Sequence, residues 1–216
     1  WLKLVNNKIL YCRKMKKTPI LVGGTGLYFK ALTDGLVNFP KIPTNFRNKI
    51  RNLHKRLGQK KFFLELLKID PLIKDRVNSL DAQRSIRAYE IKLFTKKSMI
   101  SWFKNTKSDY DHNDFFKIFI DFPRKDLIER INMRTENMIK SGAILEVKKF
   151  IKLRVPKNKS LSKAIGISEI KQYLQKKIQT EQLIDKISIK TRQYAKRQST
   201  WARGHMKDWN KVNPAG

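Results

Sequence analysis

The chain has 216 residues, with 49 Lys and Arg against 18 Asp and Glu, for a formal net charge of +31. Hydrophobic residues make up 40% and include 12 Phe and 4 Trp, which excludes global disorder, and no apolar run reaches the roughly 18 residues of a membrane span. The one cysteine, Cys12, excludes an internal disulfide and a multi-cysteine zinc site and fits a reducing compartment, while the charge makes a polyanion the expected partner.

Residue one is Trp rather than Met, and Trp1, Leu2, Lys3, Leu4 and Val5 lack the pattern of an export signal. Leu4, Val5, Ile9 and Leu10 among Lys and Arg predict a short surface helix over residues 1–16. Residues 18–22 are a short β-branched apolar run stopped by Gly23 and Gly24, which predicts a buried strand. Leu27, Tyr28, Ala31 and Leu32 then have helical spacing, and Gly35, Pro40 and Pro43 end that element. Strand, glycine turn and helix together make the unit of a nucleotide-handling α/β domain.

From about residue 44 to 107 the pattern is helical, with no strand signal. Phe62, Phe63, Leu66 and Leu67 share one face, and Asp81 is the expected N-cap of a helix through Phe94. A second strand is predicted over residues 115–120, ended by Asp121, Phe122 and Pro123. Helical periodicity resumes in Leu127, Ile131, Thr135, Met138 and Ile139 and passes Gly142 to Leu153. A last helix over about residues 181–203 packs through Leu183, Ile187, Thr191, Tyr194, Gln198 and Trp201. The expected fold class is α/β. Residues 1–43 hold part of the parallel-sheet core, 44–110 are an all-helical insertion, and 111–216 return to the core and add C-terminal helices.

Several places could carry chemistry. Gly23, Gly24, Thr25 and Gly26 lie between strand and helix, where glycines let the backbone approach a phosphate and Thr25 offers a hydroxyl. The same bend also reads as a tight structural turn whose Thr caps the helix. No Lys follows these glycines, so the bend is not a Walker-type phosphate loop. Gln83, Arg84 and Arg87 open a helix, with Gln83 and Arg87 on one face; they suit a base edge and a phosphate, or simply a solvated helix start. Arg130 and Arg134 stand one turn apart and suit a diphosphate, unless they pair with Glu129 or Glu136. On the last helix Arg192, Lys196 and Arg203 share one side, Lys190 and Arg197 make a second stripe, and Tyr194 and Trp201 make the opposing apolar seam. His54, His112 and His205 lack ligand-like spacing, so no zinc site is expected.

Taken in order, five segments resemble the bacterial-type tRNA dimethylallyltransferases. They are residues 19–28 (PILVGGTGLY), 81–90 (DAQRSIRAYE), 130–142 (RINMRTENMIKSG), 164–166 (AIG) and 191–201 (TRQYAKRQSTW). The resemblance implies a P-loop-like core with a helical insertion and transfer of a dimethylallyl group from dimethylallyl diphosphate to N6 of adenine 37, beside the tRNA anticodon. It implies a flipped base, Mg²⁺, a cytoplasmic monomer and no membrane. It assigns Thr25 and Arg47 to the active site, and Arg130 or Arg134, with the Gly23, Gly24 and Gly26 bend, to the diphosphate. It gives tRNA contacts to Gln83, Arg84, Ser85, Ile86 and Arg87. Further tRNA contacts fall on Lys163, Gly166, Lys196, Arg197, Gln198, Thr200, Trp201 and Arg203. Gly166, Ile167 and Ser168 stand where the family usually reads Gly-Tyr-Arg/Lys, so that contact is reduced.

The family's opening Gly-Lys-Ser/Thr loop and its Asp-Ser general base have no counterpart in these 216 residues. The chain is therefore expected to be a fragment with little activity alone, whose Mg²⁺ ligands lie outside it. Two other readings stay open on the residues alone: a non-catalytic basic RNA-binding protein, and a nucleotide kinase-like phosphotransferase. The absent Gly-Lys-Ser/Thr loop disfavours the second.

Overall fold

The structure is a computed structural model and describes residues 1–104, 106–156 and 159–214. Its helices are α1 (Leu2–Lys14), α2 (Gly26–Thr33), α3 (Thr44–Ile69), α4 (Ala82–Thr95), α5 (Met99–Lys104), α6 (Arg124–Lys140), α7 (Ala143–Lys152), α8 (Ile167–Leu174) and α9 (Thr180–His205). Among the described residues there are also two short strands, β1 (Ile118–Ile120) and β2 (Asn210–Val212). By contact the chain divides into two units, Trp1–Ile20 with Leu27–Phe115, and Leu21–Gly26 with Phe116–Gly216.

In the first unit α3 packs on α4. The face expected from spacing is the buried one: Phe62, Phe63 and Leu66 meet Ala88, Tyr89 and Ile91, with Ile73, Val77 and Met99 closing the cluster. Phe62→Ala here would cost about 3–5 kcal/mol. Asp81 caps α4 as expected, its carboxylate accepting from the Arg84 N–H at 2.9 Å. Gly58, at φ 71, breaks α3 into two helices, since an L side chain strains at that angle.

In the second unit α6 and α8 pack on α9, around Val147, Ile167, Ile170, Leu183 and Ile187. The helical run expected through residue 153 is two helices, because Gly142 adopts φ 102 between α6 and α7. Strand β1 is shorter than predicted and runs parallel to β2, with Ile118 opposite Asn210 and Ile120 opposite Val212. The Asp121 N–H extends the ladder to the Val212 carbonyl at 2.9 Å.

Residues 18–22 do not form the expected buried strand. No strand among the described residues lies beside them, so their amides have no ladder, and Val22 is 91% exposed. The described residues make a helix-rich fold with one small parallel sheet. Among the described residues no helix is long and apolar enough to cross a membrane.

Candidate functional site

The glycine bend belongs to the second unit and lies against α9. A Cβ at Gly24 would run into the Gln198 side-chain amide, and one at Gly26 into the Trp201 indole. Both positions are therefore glycine for lack of space, which joins the bend to the 196–203 stretch of α9. Thr25 is exposed between them, immediately before α2. Trp201 also stacks on His205, with ring centroids 4.3 Å apart and planes 5° from parallel.

Lys196, Arg197, Thr200 and Arg203 are exposed on the same stretch. Tyr194, expected in the apolar seam with Trp201, is exposed instead, with the Arg197 guanidinium over its ring at 5.5 Å. The covered stripe of α9 runs through 183, 187, 191, 195, 198 and 202, and residue 194 stands about 100° away from residue 195. Arg130 and Arg134 are exposed on α6, which packs along α9. Arg130 lies over the Phe122 ring at 4.7 Å, and neither arginine pairs with Glu129 or Glu136 among the described residues.

The loop before α8 is tied down by a buried carboxylate. Gly166 is buried at φ 102, and its N–H donates to Glu169 at 3.1 Å. Ser168 donates its hydroxyl to Glu169 at 2.6 Å, and the Lys190 ammonium donates to the same carboxylate. Burial by itself pushes the Glu169 carboxyl up. The bonds from Lys190, Ser168 and its own backbone, with the Lys190 charge, outweigh that and hold it below its ordinary value. Lys190, half exposed, is thus tied to Glu169 rather than part of a free cationic stripe. Lys163 is exposed, whereas Ile167 is buried in the core.

The other expected residues fall in the first unit. Gln83 and Arg84 are exposed, and Arg84 pairs with Asp81 at 3.2 Å. Ser85 is fully buried, donating to the Asp81 carbonyl at 2.7 Å and accepting from Gln59 at 3.1 Å. Ile86 packs partly into the core. The Ser85 side chain does not face outward as the expected tRNA contact requires, because it stands on the side of α4 turned to α3, and that of Ile86 is only partly exposed. Arg47 and Arg87 converge on Glu90, at 3.3 and 3.1 Å, and Arg51 joins them at 4.0 Å. Glu90 and Arg51 escaped the sequence reading. The available signals were a charged residue inside the apolar run Ala88, Tyr89, Ile91, and an arginine one turn after Arg47.

Two open grooves, of about 500 and 760 Å³, lie in the first unit and are lined by none of the residues expected at the active site. Among the described residues no group of three His, Cys, Asp or Glu side chains could hold a metal ion, and the His112 side chain lies outside those described.

Comparison with known proteins bears on this arrangement. The model of a family described as "IPP transferase" matches residues 1–205. A tRNA dimethylallyltransferase of Pelagibacter ubique (strain HTCC1062) is 55% identical over 214 residues, covering 99% of this chain and 68% of the relative. A second, from Rickettsia massiliae (strain Mtu5), is 40% identical over 210 residues, covering 96% of this chain and 58% of the relative. The chain thus spans about three-fifths to two-thirds of the length of these relatives. The structure of a eukaryotic dimethylallyltransferase acting on tRNA has the same fold, with a TM-score of 0.76 at 24% identity, over 98% of this chain and 55% of that one.

Proposed function

Because the chain belongs to the IPP transferase family, we propose that it forms part of a tRNA dimethylallyltransferase. In this reading N6 of adenine 37 attacks the allylic C1 of dimethylallyl diphosphate. The C1–O bond breaks, diphosphate leaves with the bonding electrons, and the N6 proton passes to a general base, the role of the Asp-Ser aspartate that the family resemblance implies. The observation that carries the reading is the seating of the Gly24–Gly26 bend on the cationic stretch of α9.

That contact brings an exposed threonine hydroxyl beside a helix able to face RNA. Thr25 would donate to a diphosphate oxygen, and Arg130 and Arg134 would stabilise the departing charge with planar N–H pairs. Lys196, Arg197 and Arg203 would hold phosphates of the anticodon stem-loop. The adenine must leave its stack to react, and exposed cations flanking the bend suit a splayed strand. The described residues do not supply a ligand set for Mg²⁺.

We read the β1–β2 pair as part of a larger P-loop-like parallel core. The apolar surface left open at Phe116, Ile118 and Ile120 supports this. The protein would act as a cytoplasmic monomer, where its tRNA substrate is found. The 216 residues alone, which contain no Gly-Lys-Ser/Thr loop, are expected to bind RNA and turn over little.

The test compares Thr25→Ala with the parent sequence in a protein of the relatives' full length. Prenyl transfer is expected to fall by roughly a hundredfold or more while tRNA affinity is retained. Equal loss of both, or of neither, would favour a plain RNA binder in which the bend is only structural.

A further inference from the structure

We infer that Arg47, Arg51 and Arg87 form one phosphate-binding cluster for the RNA backbone, and that the buried Glu90 is the positioning residue that holds it together. The inference rests on the RNA reading above: it adds Arg51 and Glu90 to the expected contact at Arg87, and takes Arg47, expected at the active site, into the same cluster.

The geometry is specific. The Glu90 side chain is 1% exposed, yet three guanidiniums reach it. Arg47 and Arg51 come from consecutive turns of α3 and present Nε at 3.3 and 4.0 Å, while Arg87 comes from α4 and presents Nη1 at 3.1 Å. Arg87 is fixed from a second side by Phe39, whose ring lies 5.2 Å from its guanidinium and packs in turn on Trp102 and Phe103. No other carboxylate among the described residues pairs with any of the three arginines.

One carboxylate cannot neutralise three cations. The cluster keeps two net positive charges, and its side chains remain 40%, 54% and 35% exposed for Arg47, Arg51 and Arg87. A purely structural ion pair needs one partner, and the extra arginines repel one another without stabilising the fold. A polyanion relieves that repulsion. Guanidiniums held from below by Nε or a single Nη offer their remaining N–H groups outward, in the planar arrangement that suits a phosphodiester. Glu90 therefore lowers the cost of gathering the cations and sets their direction.

The sign of one substitution separates positioning from bulk charge. Glu90→Gln raises the net charge by one, so bulk electrostatics alone would tighten RNA binding. Positioning requires it to weaken. Affinity of the 216-residue chain for an anticodon stem-loop RNA would be measured by fluorescence anisotropy over a salt titration. Glu90→Gln and Arg51→Ala would be compared with Arg76→Ala, an exposed arginine outside the cluster. The expected result is a loss of about fivefold for each cluster variant, and a salt slope shallower by about one for Arg51→Ala, with Arg76→Ala unchanged.

Unchanged or tighter binding by Glu90→Gln, an unchanged Arg51→Ala, or an equal loss in Arg76→Ala would overturn the cluster while leaving the RNA reading intact. No binding by the parent chain at any salt would overturn both. Should Glu90→Gln fail to fold, Arg51→Ala decides alone, because its side chain is more than half exposed.

Discussion

Among the described residues each unit buries one glutamate among cations, and the two are used differently. Glu169, at the start of α8, is matched by a single lysine and also accepts from Ser168 and the Gly166 N–H. Its charge is cancelled, and its effect is local: it closes the turn that opens the helix. Glu90, on α4, is shared by three arginines from two helices. There the carboxylate is the minority charge, and the cluster stays cationic toward solvent. A buried carboxylate can thus finish a fold or organise a binding surface, and the ratio of cations around it decides which.

The largest difference between the two carboxylates is expected at Lys190. Removing it strands Glu169 without its only cation among the described residues, whereas removing Arg51 leaves Glu90 two partners. Lys190→Ala is expected to cost about 2 kcal/mol in urea unfolding, below the usual range for a broken buried pair because the lysine is half exposed and water can enter. A cost indistinguishable from zero would mean that Glu169 is solvated and the contrast false.

A second test uses pH. The Glu169 carboxyl titrates below its ordinary value of 4.5 in the folded chain, so its contribution is complete above that value and fades as pH falls through the lowered one. Urea unfolding from about pH 6 down to about pH 3 should show a steeper acid decline in the parent than in Lys190→Ala, which lacks the principal hydrogen bond holding that value down. Parallel declines would show that Lys190 does not set the titration. The smallest effect is on stability in Arg51→Ala, expected within about 0.5 kcal/mol of the parent. A larger loss would make Arg51 a structural residue and weaken its assignment to RNA.

Local patterns in the sequence foretold much of the helical framework. Asp81 starts α4, Phe62, Phe63 and Leu66 turn inward, and the last helix is expected within one or two residues of its observed limits, Thr180–His205. The misreadings share a cause. Residues 18–22 have strand composition but no neighbouring strand. β2, by contrast, is the polar, exposed segment Asn210–Val212, which offers no alternation to read. Tyr194 differs from the covered stripe by one position, a shift that depends on how α9 lies against α6 and α8.

The same division holds at the candidate site. The glycine bend, the arginine spacings and the charge of +31 were present in the order of residues. Which cations are free was not: Lys190 is spent on a carboxylate 21 positions earlier in the chain, and Arg47 meets Glu90 across 43 positions. Nor could spacing tell that Gly24 and Gly26 are glycine because Gln198 and Trp201 occupy the space a side chain would need. Helix periodicity and capping depend on neighbours within about four residues and are written directly in the sequence. Charge pairing, strand partnership and close backbone approach depend on segments brought together only when the loops between them close, so the folded chain alone decides them.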